Sequence, residues 1–138
     1  MLHFEISKSK DFSLLCGMDP FKSIAVPRPI AWISTVSKDG VDNLAPFSQF
    51  TNVGFNEPHV LFAGQLNSEG RRKDSVVNAE DTKCFVHNMV TYDLREQMNR
   101  TGVSSAPEVD EFVEAGLTKE DSFCVAAKRV KESPVQLE

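Results

Sequence analysis

The chain has 138 residues, of which 41% are hydrophobic, and this predicts a single domain over 1–138 with one core. A formal net charge of −5 excludes the broad basic surface that nucleic-acid binding requires, so we expect no nucleic-acid partner. The first ten residues hold no long apolar run and no stretch reaches the length of a membrane span, which predicts a cytoplasmic protein without a membrane partner.

The first strand signal follows a pair of prolines. Residues 30–36 are rich in β-branched and apolar side chains and predict a strand. Pro27 and Pro29 cannot both lie in a central ladder, so the segment up to Arg28 is predicted as an edge or a turn. Lys38-Asp39-Gly40 then indicates a tight hairpin turn.

Two further β segments follow this hairpin. Residues 43–55 carry three phenylalanines and predict a β segment that begins with a ligand-binding loop. After a turn at 56–58, residues 59–64 predict a strand apolar enough to be buried on both faces. Residues 65–70 are polar and predict a loop.

Helices are predicted to be short. Residues 74–81 predict a helix with Asp74 as its N-cap, and Thr91 is predicted to cap a second helix over 92–99. Residues 83–90, between the two, alternate in polarity and predict a strand.

The last third of the chain returns to strand signals. Residues 111–115 predict one helical turn that Gly116 ends. Residues 122–130 predict a strand. Residues 135–138 alternate as a new strand would, and we expect them to pair with a dimer mate or with sequence beyond this chain.

These elements predict a mainly β protein with short helices. Connections of hairpin length favour an antiparallel sheet, and a sheet of four or more such strands tends to close into a barrel. Trp32 lies in an apolar strand and is predicted to belong to the core, and His87 is predicted to be a strand histidine with its hydrogen bonds satisfied.

Common catalytic and metal-binding motifs do not occur in the sequence. Its cysteines are odd in number and widely spaced, which predicts reduced thiols rather than disulfides: Cys16, Cys84 and Cys124. Its histidines show no spacing typical of metal ligands, so no metal site is predicted: His3, His59 and His87. No G-x-G-x-x-G or P-loop is present.

A basic turn before the predicted helix is a candidate phosphate site. Lys73 supplies a full charge, and the Ser75 hydroxyl and the first amides of the helix supply directed donors. Ser68 lies just upstream on the same loop and could add its hydroxyl to the same anion. A solvated basic turn is the alternative interpretation.

A neutral stretch of backbone is the second half of the candidate site. Residues 45–49 form an extended, proline-containing segment whose backbone groups could pair with the carbonyl and N–H edge of a flavin ring. A strand entry shaped by Pro46 is the alternative interpretation. Together with the basic helix start, this segment suggests a site for flavin mononucleotide (FMN).

Several segments occur in a familiar order. The first four are Pro29-Ile30-Ala31-Trp32-Ile33-Ser34-Thr35, Asn43-Leu44-Ala45-Pro46-Phe47-Ser48, Arg72-Lys73-Asp74-Ser75 and Phe85-Val86-His87-Asn88-Met89-Val90. The later ones are Val109-Asp110-Glu111-Phe112, Ala115-Gly116-Leu117 and Glu132-Ser133-Pro134-Val135. From about Phe21 to Glu138 the chain thereby resembles the flavin reductase-like, FMN-binding split-barrel family, which includes flavoredoxin.

The resemblance implies a six-stranded antiparallel Greek-key split barrel that forms a homodimer, with FMN at the subunit interface. It places the isoalloxazine ring against Ala45, Pro46, Phe47, Ser48 and Gln49. It places Asn52 near the ribityl chain. It assigns the phosphate to Ser68, Arg72, Lys73 and Ser75, with Ser75 standing where the family more usually has Thr.

The resemblance also implies a function. An oxidoreductase of the flavin reductase type passes hydride from NAD(P)H to bound flavin, and reduced flavin or its electrons then reach a partner oxygenase or another acceptor. No side chain is predicted as a catalytic acid or base. The alternatives are a non-catalytic FMN-binding electron-transfer protein and a flavin-free fragment of the fold. Family members usually continue past the Glu-Ser-Pro-Val segment, so we expect either a short form or a piece of a longer protein.

Overall fold

The structure is a computed structural model that describes residues 24–67 and 69–138. Its strands are β1 (Ala31–Val36), β2 (Asp42–Phe47), β3 (Phe50–Val53), β4 (His59–Phe62), β5 (Val86–Asn88), β6 (Lys119–Glu120), β7 (Arg129–Val130) and β8 (Gln136–Leu137). Its helices are α1 (Asp74–Thr82), a 3₁₀ turn (Tyr92–Leu94), α2 (Arg95–Arg100) and α3 (Glu111–Glu114). The mainly β class with short helices is therefore confirmed.

A four-stranded antiparallel sheet in the order β2-β1-β5-β8 forms the centre of the molecule. The predicted hairpin at 38–40 joins β1 to β2, and Gly40 takes the positive φ of 83° that its turn requires. The strand predicted over 30–36 is confirmed, because β1 begins at Ala31, just after the prolines.

Two antiparallel ribbons flank this sheet. β3 pairs with β4, and β6 pairs with β7. The segment predicted as one β unit over 43–55 is two strands, since Ser48 and Gln49 break the ladder and β3 leaves the central sheet. The prediction that 59–64 is buried on both faces is wrong: His59 and Leu61 point outwards and are exposed.

Both predicted helix caps need correction. α1 takes Lys73, not Asp74, as its N-cap, because the carbonyl of Lys73 accepts from the amides of Val76 and Val77. Thr91 precedes a 3₁₀ turn rather than an α-helix, and its side chain makes no capping bond. The predicted turn over 111–115 is confirmed as α3, and Gly116 follows it with a φ of 68°.

The strands of the last third are shorter than predicted. The strand predicted over 83–90 is confined to β5, and only 129–130 of the segment 122–130 are β. Residues 122–128 form a local turn region instead of a strand, and Ser122 donates to the carbonyl of Ala127 within it. The segment 135–138 does form a strand, β8, but it pairs with β5 of its own chain.

Two apolar clusters lie on opposite faces of the central sheet. One groups Trp32, Leu44, Leu94, Phe112 and Val130, so the core position predicted for Trp32 is confirmed. Its indole Nε1 donates to Thr101 Oγ1 at 2.9 Å, which satisfies the one polar atom of the ring. The other cluster is built on Ala31, Ile33 and Phe47, against which aromatic rings of the β3–β4 ribbon pack. Among the described residues, no helix is long and apolar enough to cross a membrane.

Candidate functional site

A cavity of about 140 Å³ opens where three parts of the fold meet. β2 forms its floor, the start of α1 forms one wall, and the loop after α2 forms the other. We call it the Ser75 cavity. Its lining is Asn43, Ala45, Pro46, Phe47, Asn67, Arg71, Arg72, Lys73, Asp74, Ser75, Thr101, Gly102, Val103, Ser104, Ser105, Pro107 and Glu111.

The start of α1 supplies positive potential to this cavity. The first backbone amides of a helix lack partners within the helix, and the helix dipole adds to the attraction for an anion. Arg71 pairs with Glu69 and Arg72 pairs with Glu80. Lys73 forms no ion pair with any acidic residue of the described ranges. Its ammonium group is therefore the cation best placed to meet a ligand.

Close packing fixes where α1 begins. A Cβ atom built on Gly64 would lie 2.5 Å from Val76 Cγ2 and 3.3 Å from Phe47 Cε1. Only glycine leaves room here, so the chain after β4 can pass directly beneath the first turn of α1. The β4 end, β2 and the helix start are thereby held together.

Buried polar side chains join the helix start to β2. Ser75, which is 2% exposed, places Oγ 2.6 Å from Asn43 Oδ1, and Thr35 Oγ1 lies 3.3 Å from the same oxygen. Asn78 Nδ2 donates to Thr35 Oγ1 at 3.2 Å. A helix with little apolar surface is thus anchored through its polar face, which the low apolar content of 74–81 did not indicate.

Asn43 in turn bonds to a buried carboxylate. Asn43 Nδ2 and the amide of Leu44 both donate to Glu111 Oε2 at 3.0 Å. Glu111 is 7% exposed, and its burial raises the pKa of the carboxyl above its ordinary value, against the lowering effect of these hydrogen bonds. The network therefore links an ionisable group directly to the wall of the cavity.

A second cavity, of about 330 Å³, lies beside the first. We call it the Gln49 cavity. It shares Pro46, Phe47 and Lys73 with the Ser75 cavity and adds Ser48 and Gln49. Apart from Arg28 and Lys73, its lining is uncharged. A ligand with an anionic end and a neutral planar end would find both environments side by side.

The structure brings most of the predicted site residues together. Ala45, Arg72 and Ser75 line the Ser75 cavity, Ser48 and Gln49 line the Gln49 cavity, and Pro46, Phe47 and Lys73 line both. Asn52 is exposed on β3 and lines neither cavity of the protomer. Ser68 lies outside the described residues.

Sequence reasoning missed part of the cavity wall. Glu111 reads as a solvated acid in the first turn of a short helix, beside Asp110, which is the actual N-cap and accepts from the amide of Phe112. The loop from Thr101 to Pro107 reads as a connection. Its small polar composition was the available signal, but nothing local to the sequence places it opposite α1.

His87 departs from its prediction. It lies in β5 as expected, but Nδ1 has no hydrogen-bond partner among the described residues. The ring is 4.7 Å from that of Phe50, and burial lowers the pKa of the imidazole. Within the described ranges, no group of three or more His, Cys, Asp or Glu side chains could hold a metal ion.

Comparison with known proteins extends these observations. The family model of the flavin reductase like domain matches residues 23–138. An uncharacterized protein from Aquifex aeolicus is 51% identical over 116 residues, which are 83% of this chain and 59% of that protein. The protein YwrF from Bacillus subtilis is 33% identical over 97% of this chain and 62% of its own length. The chain thus spans about three-fifths of the length of these curated relatives.

Solved structures agree with this match. Component B of nitrilotriacetate monooxygenase from Bacillus cereus superposes with a TM-score of 0.82 at 29% identity, over 99% of this chain and 65% of that one. A split barrel domain from Shewanella frigidimarina superposes with a TM-score of 0.77 at 22% identity, over 99% and 66% of the two chains. The predicted split-barrel fold is therefore confirmed.

Proposed function

Because the chain belongs to the flavin reductase-like domain family, we propose that it binds FMN and acts as an oxidoreductase that passes hydride from NAD(P)H to the bound flavin. One observation supports this most directly. Two segments that are about 30 residues apart in sequence, 45–49 and 72–75, line adjoining cavities that share Lys73.

The residues present fit the chemistry of FMN. The Lys73 ammonium, which forms no ion pair within residues 24–67 and 69–138, and the start of α1 match a phosphate, which binds well to a helix N-terminus with an adjacent cation. Apart from Arg28 and Lys73, the Gln49 cavity is lined by uncharged residues and offers the backbone and side-chain amide groups that a heteroaromatic ring can pair with. We propose that Ser75, Lys73 and Arg72 surround the phosphate and that residues 45–49 contact the ring.

Bound FMN would supply the hydride-accepting chemistry, and the protein would supply binding and orientation. Lys73 would hold the phosphate end through its charge. Pro46 and Phe47 lie between the two cavities and would fix the distance between the phosphate and the ring. We assign no side chain as a catalytic acid or base.

We further propose that the protein is a homodimer and that its electrons pass to a partner. The described residues leave apolar side chains on the outer face of the β3–β4 ribbon uncovered, with Leu61 51% exposed, as expected of a surface that a second subunit covers. The Bacillus cereus neighbour is named as one component of a monooxygenase, which supports a partner oxygenase as the acceptor.

Flavin binding by Lys73→Gln tests the site. Removing one charge-assisted hydrogen bond costs about 1.5–3 kcal/mol, so the Kd for FMN should rise roughly 10- to 100-fold, while riboflavin, which lacks the phosphate, binds as before. Lys38→Gln is the matched control, because Lys38 is exposed and pairs with Asp81 near the other end of α1. An unchanged Kd for FMN in Lys73→Gln would remove the phosphate assignment.

Steady-state oxidation of NADH and NADPH with added FMN tests the reaction. Turnover that saturates with FMN and falls in Lys73→Gln is expected of a reductase. A protein that binds FMN tightly yet oxidises neither nucleotide would instead be an electron-transfer module.

A further inference from the structure

The direction of the hydrogen bonds around Asn43 determines what Ser75 can offer a ligand. While Glu111 is ionised it can only accept, so the amide group that faces it must be the Nδ2 donor. Asn43 Oδ1 then faces Ser75 and can only accept, so the single proton of the Ser75 hydroxyl is used within the protein. In this arrangement Ser75 presents lone pairs, not a proton, to the cavity.

Lone pairs are the wrong partner for a phosphate dianion. The ionised Glu111 also lines the same cavity, and like charges brought together in a buried site raise the pKa of the weaker acid. Either the phosphate binds despite repulsion by the Glu111 carboxylate, or Glu111 takes up a proton and loses its charge.

The charges around Glu111 leave it uncompensated. Lys119 pairs with Asp110 at the start of α3, but it is shared with Asp42. That trio carries a net negative charge. The charged side chains on the cavity side are Arg71, Arg72, Lys73 and Asp74. Among the described residues, none forms an ion pair with Glu111.

We propose that Glu111 is a positioning residue for the flavin phosphate: FMN binding brings a proton from solution onto the Glu111 carboxylate, the Asn43 amide turns over, and the Ser75 hydroxyl becomes free to donate a hydrogen bond to the phosphate. The inference rests on the proposed function. It adds a residue in the cavity wall that acts on the phosphate through Asn43 and Ser75.

All but one of the groups in the turned network keep a hydrogen-bond partner; the exception is the hydroxyl proton of Thr35, which loses Asn43 Oδ1 as its acceptor. The protonated Glu111 donates to Asn43 Oδ1 and still accepts from the amide of Leu44. Asn43 Nδ2 donates to the oxygens of Ser75 and Thr35, since an amide nitrogen carries two protons. Ser75 is then free to donate to an anion. Burial raises the pKa of the Glu111 carboxyl, which favours this proton uptake.

Calorimetry in two buffers measures the proton directly. FMN binding to the chain at pH 7.5 is recorded in Tris and in HEPES, whose ionisation enthalpies differ, so any proton taken up appears as a difference between the two binding enthalpies. Free FMN is almost entirely a dianion at this pH, because the second pKa of a phosphate monoester is about 6. We expect an uptake approaching one proton per FMN and none for riboflavin.

Glu111→Gln is the matched variant. Glutamine is neutral, has nearly the same shape, and its Oε1 can accept from Asn43 Nδ2 and from the Leu44 amide as the carboxylate does. The proton uptake should disappear, riboflavin should bind as in the wild type, and the Kd for FMN at pH 7.5 should fall about tenfold, the effect of one pKa unit of like-charge opposition.

The outcomes separate the inference from the function on which it rests. FMN that binds no more tightly than riboflavin would overturn the phosphate site and the inference together. FMN that binds more tightly than riboflavin, with equal enthalpies in both buffers, would overturn the inference alone. Proton uptake on FMN binding that persists in Glu111→Gln would show that another group takes the proton and would overturn the inference. Should that variant fail to fold, the wild-type measurement still decides.

Discussion

The strands of the central sheet and of the β3–β4 ribbon are both rich in apolar and β-branched residues, but β1 of the sheet is buried and the ribbon is largely exposed. β1 is buried over five of its six residues, whereas three of the four residues of β3 are exposed. The ribbon touches the rest of the fold mainly through Phe50 and Phe62, whose rings pack against His87, Phe47 and Phe85. An isolated two-stranded ribbon is marginally stable at best, so these few rings hold it in place.

Apolar residues therefore have different structural roles in the two regions. In the sheet they form a core within the protomer, and buried polar groups beside that core form hydrogen bonds with side chains. In the ribbon the outer face carries Thr51, Val53, His59 and Leu61, which none of the residues described in the structure covers. Stability should therefore depend on the sheet, and assembly on the ribbon.

Truncating the core of the sheet should have the largest effect. Trp32 is fully buried, and Trp→Ala substitutions in cores cost about 3–5 kcal/mol, so Trp32→Ala should lower the free energy of unfolding by that amount. Phe55→Ala, at a position 97% exposed beside the ribbon, should change it by less than about 0.5 kcal/mol. Urea unfolding of both variants makes the comparison. Equal losses would show that the ribbon tip is part of the protomer core.

Removing the hydrogen-bond partner of Trp32 should have a smaller effect. Thr101→Val keeps the shape of the side chain but leaves the indole N–H buried and unpaired, at a cost of about 1–3 kcal/mol. Trp32→Phe in the same chain removes the orphaned donor, so the double variant should lose less than the sum of the two single losses. Strict additivity in a double-mutant cycle would contradict the role of this bond.

The pH dependence of stability should report on His87, where ribbon and sheet meet. Because burial lowers the pKa of the folded imidazole, the unfolded chain binds a proton first as the pH falls. The contribution of neutral His87 to stability is therefore complete above the unfolded pKa of about 6.5 and declines below it. His87→Leu should flatten the stability profile between pH 7 and pH 5. A profile that His87→Leu leaves unchanged would assign the effect to another group.

The sequence allowed the sheet to be predicted better than the ribbon or the site. Residues 30–36 are rich in β-branched and apolar side chains, with prolines before them and Asp-Gly after them, and such local signals set both ends of β1. The split of 43–55 at Ser48 and Gln49 has no local cause, because it depends on which strand each half pairs with. Likewise, nothing in 59–64 distinguishes a strand covered by its own fold from one left open at the surface.

The residues of the candidate site also divide into those with a local sequence signal and those placed by tertiary packing. Lys73 and Ser75 could be predicted, because a basic residue before a helix start is itself the anion-binding feature. Glu111 could not be predicted, since its burial arises from the packing of α3 on β2, some 67 positions away in sequence. The N-cap of α1 was predicted wrongly for a related reason: Asp74 has a typical capping side chain, but the N-cap lies one residue earlier, at Lys73, where tertiary contacts fix the start of the helix.

The smallest expected change in stability accompanies the clearest change in assembly. Leu61→Lys places a charge on the exposed outer face of the β3–β4 ribbon, where it costs the protomer less than about 0.5 kcal/mol. If that face is the proposed dimer surface, the lysine must be desolvated there or face its symmetry mate, and charges on an edge ribbon oppose such pairing. Sedimentation equilibrium should then give the mass of two 15.4 kDa chains for the wild type and of one for the variant. Val113→Lys, at an exposed position on α3, is the control and should remain a dimer. A wild-type monomer, or a Leu61→Lys dimer of undiminished affinity, would show that the ribbon is not the interface.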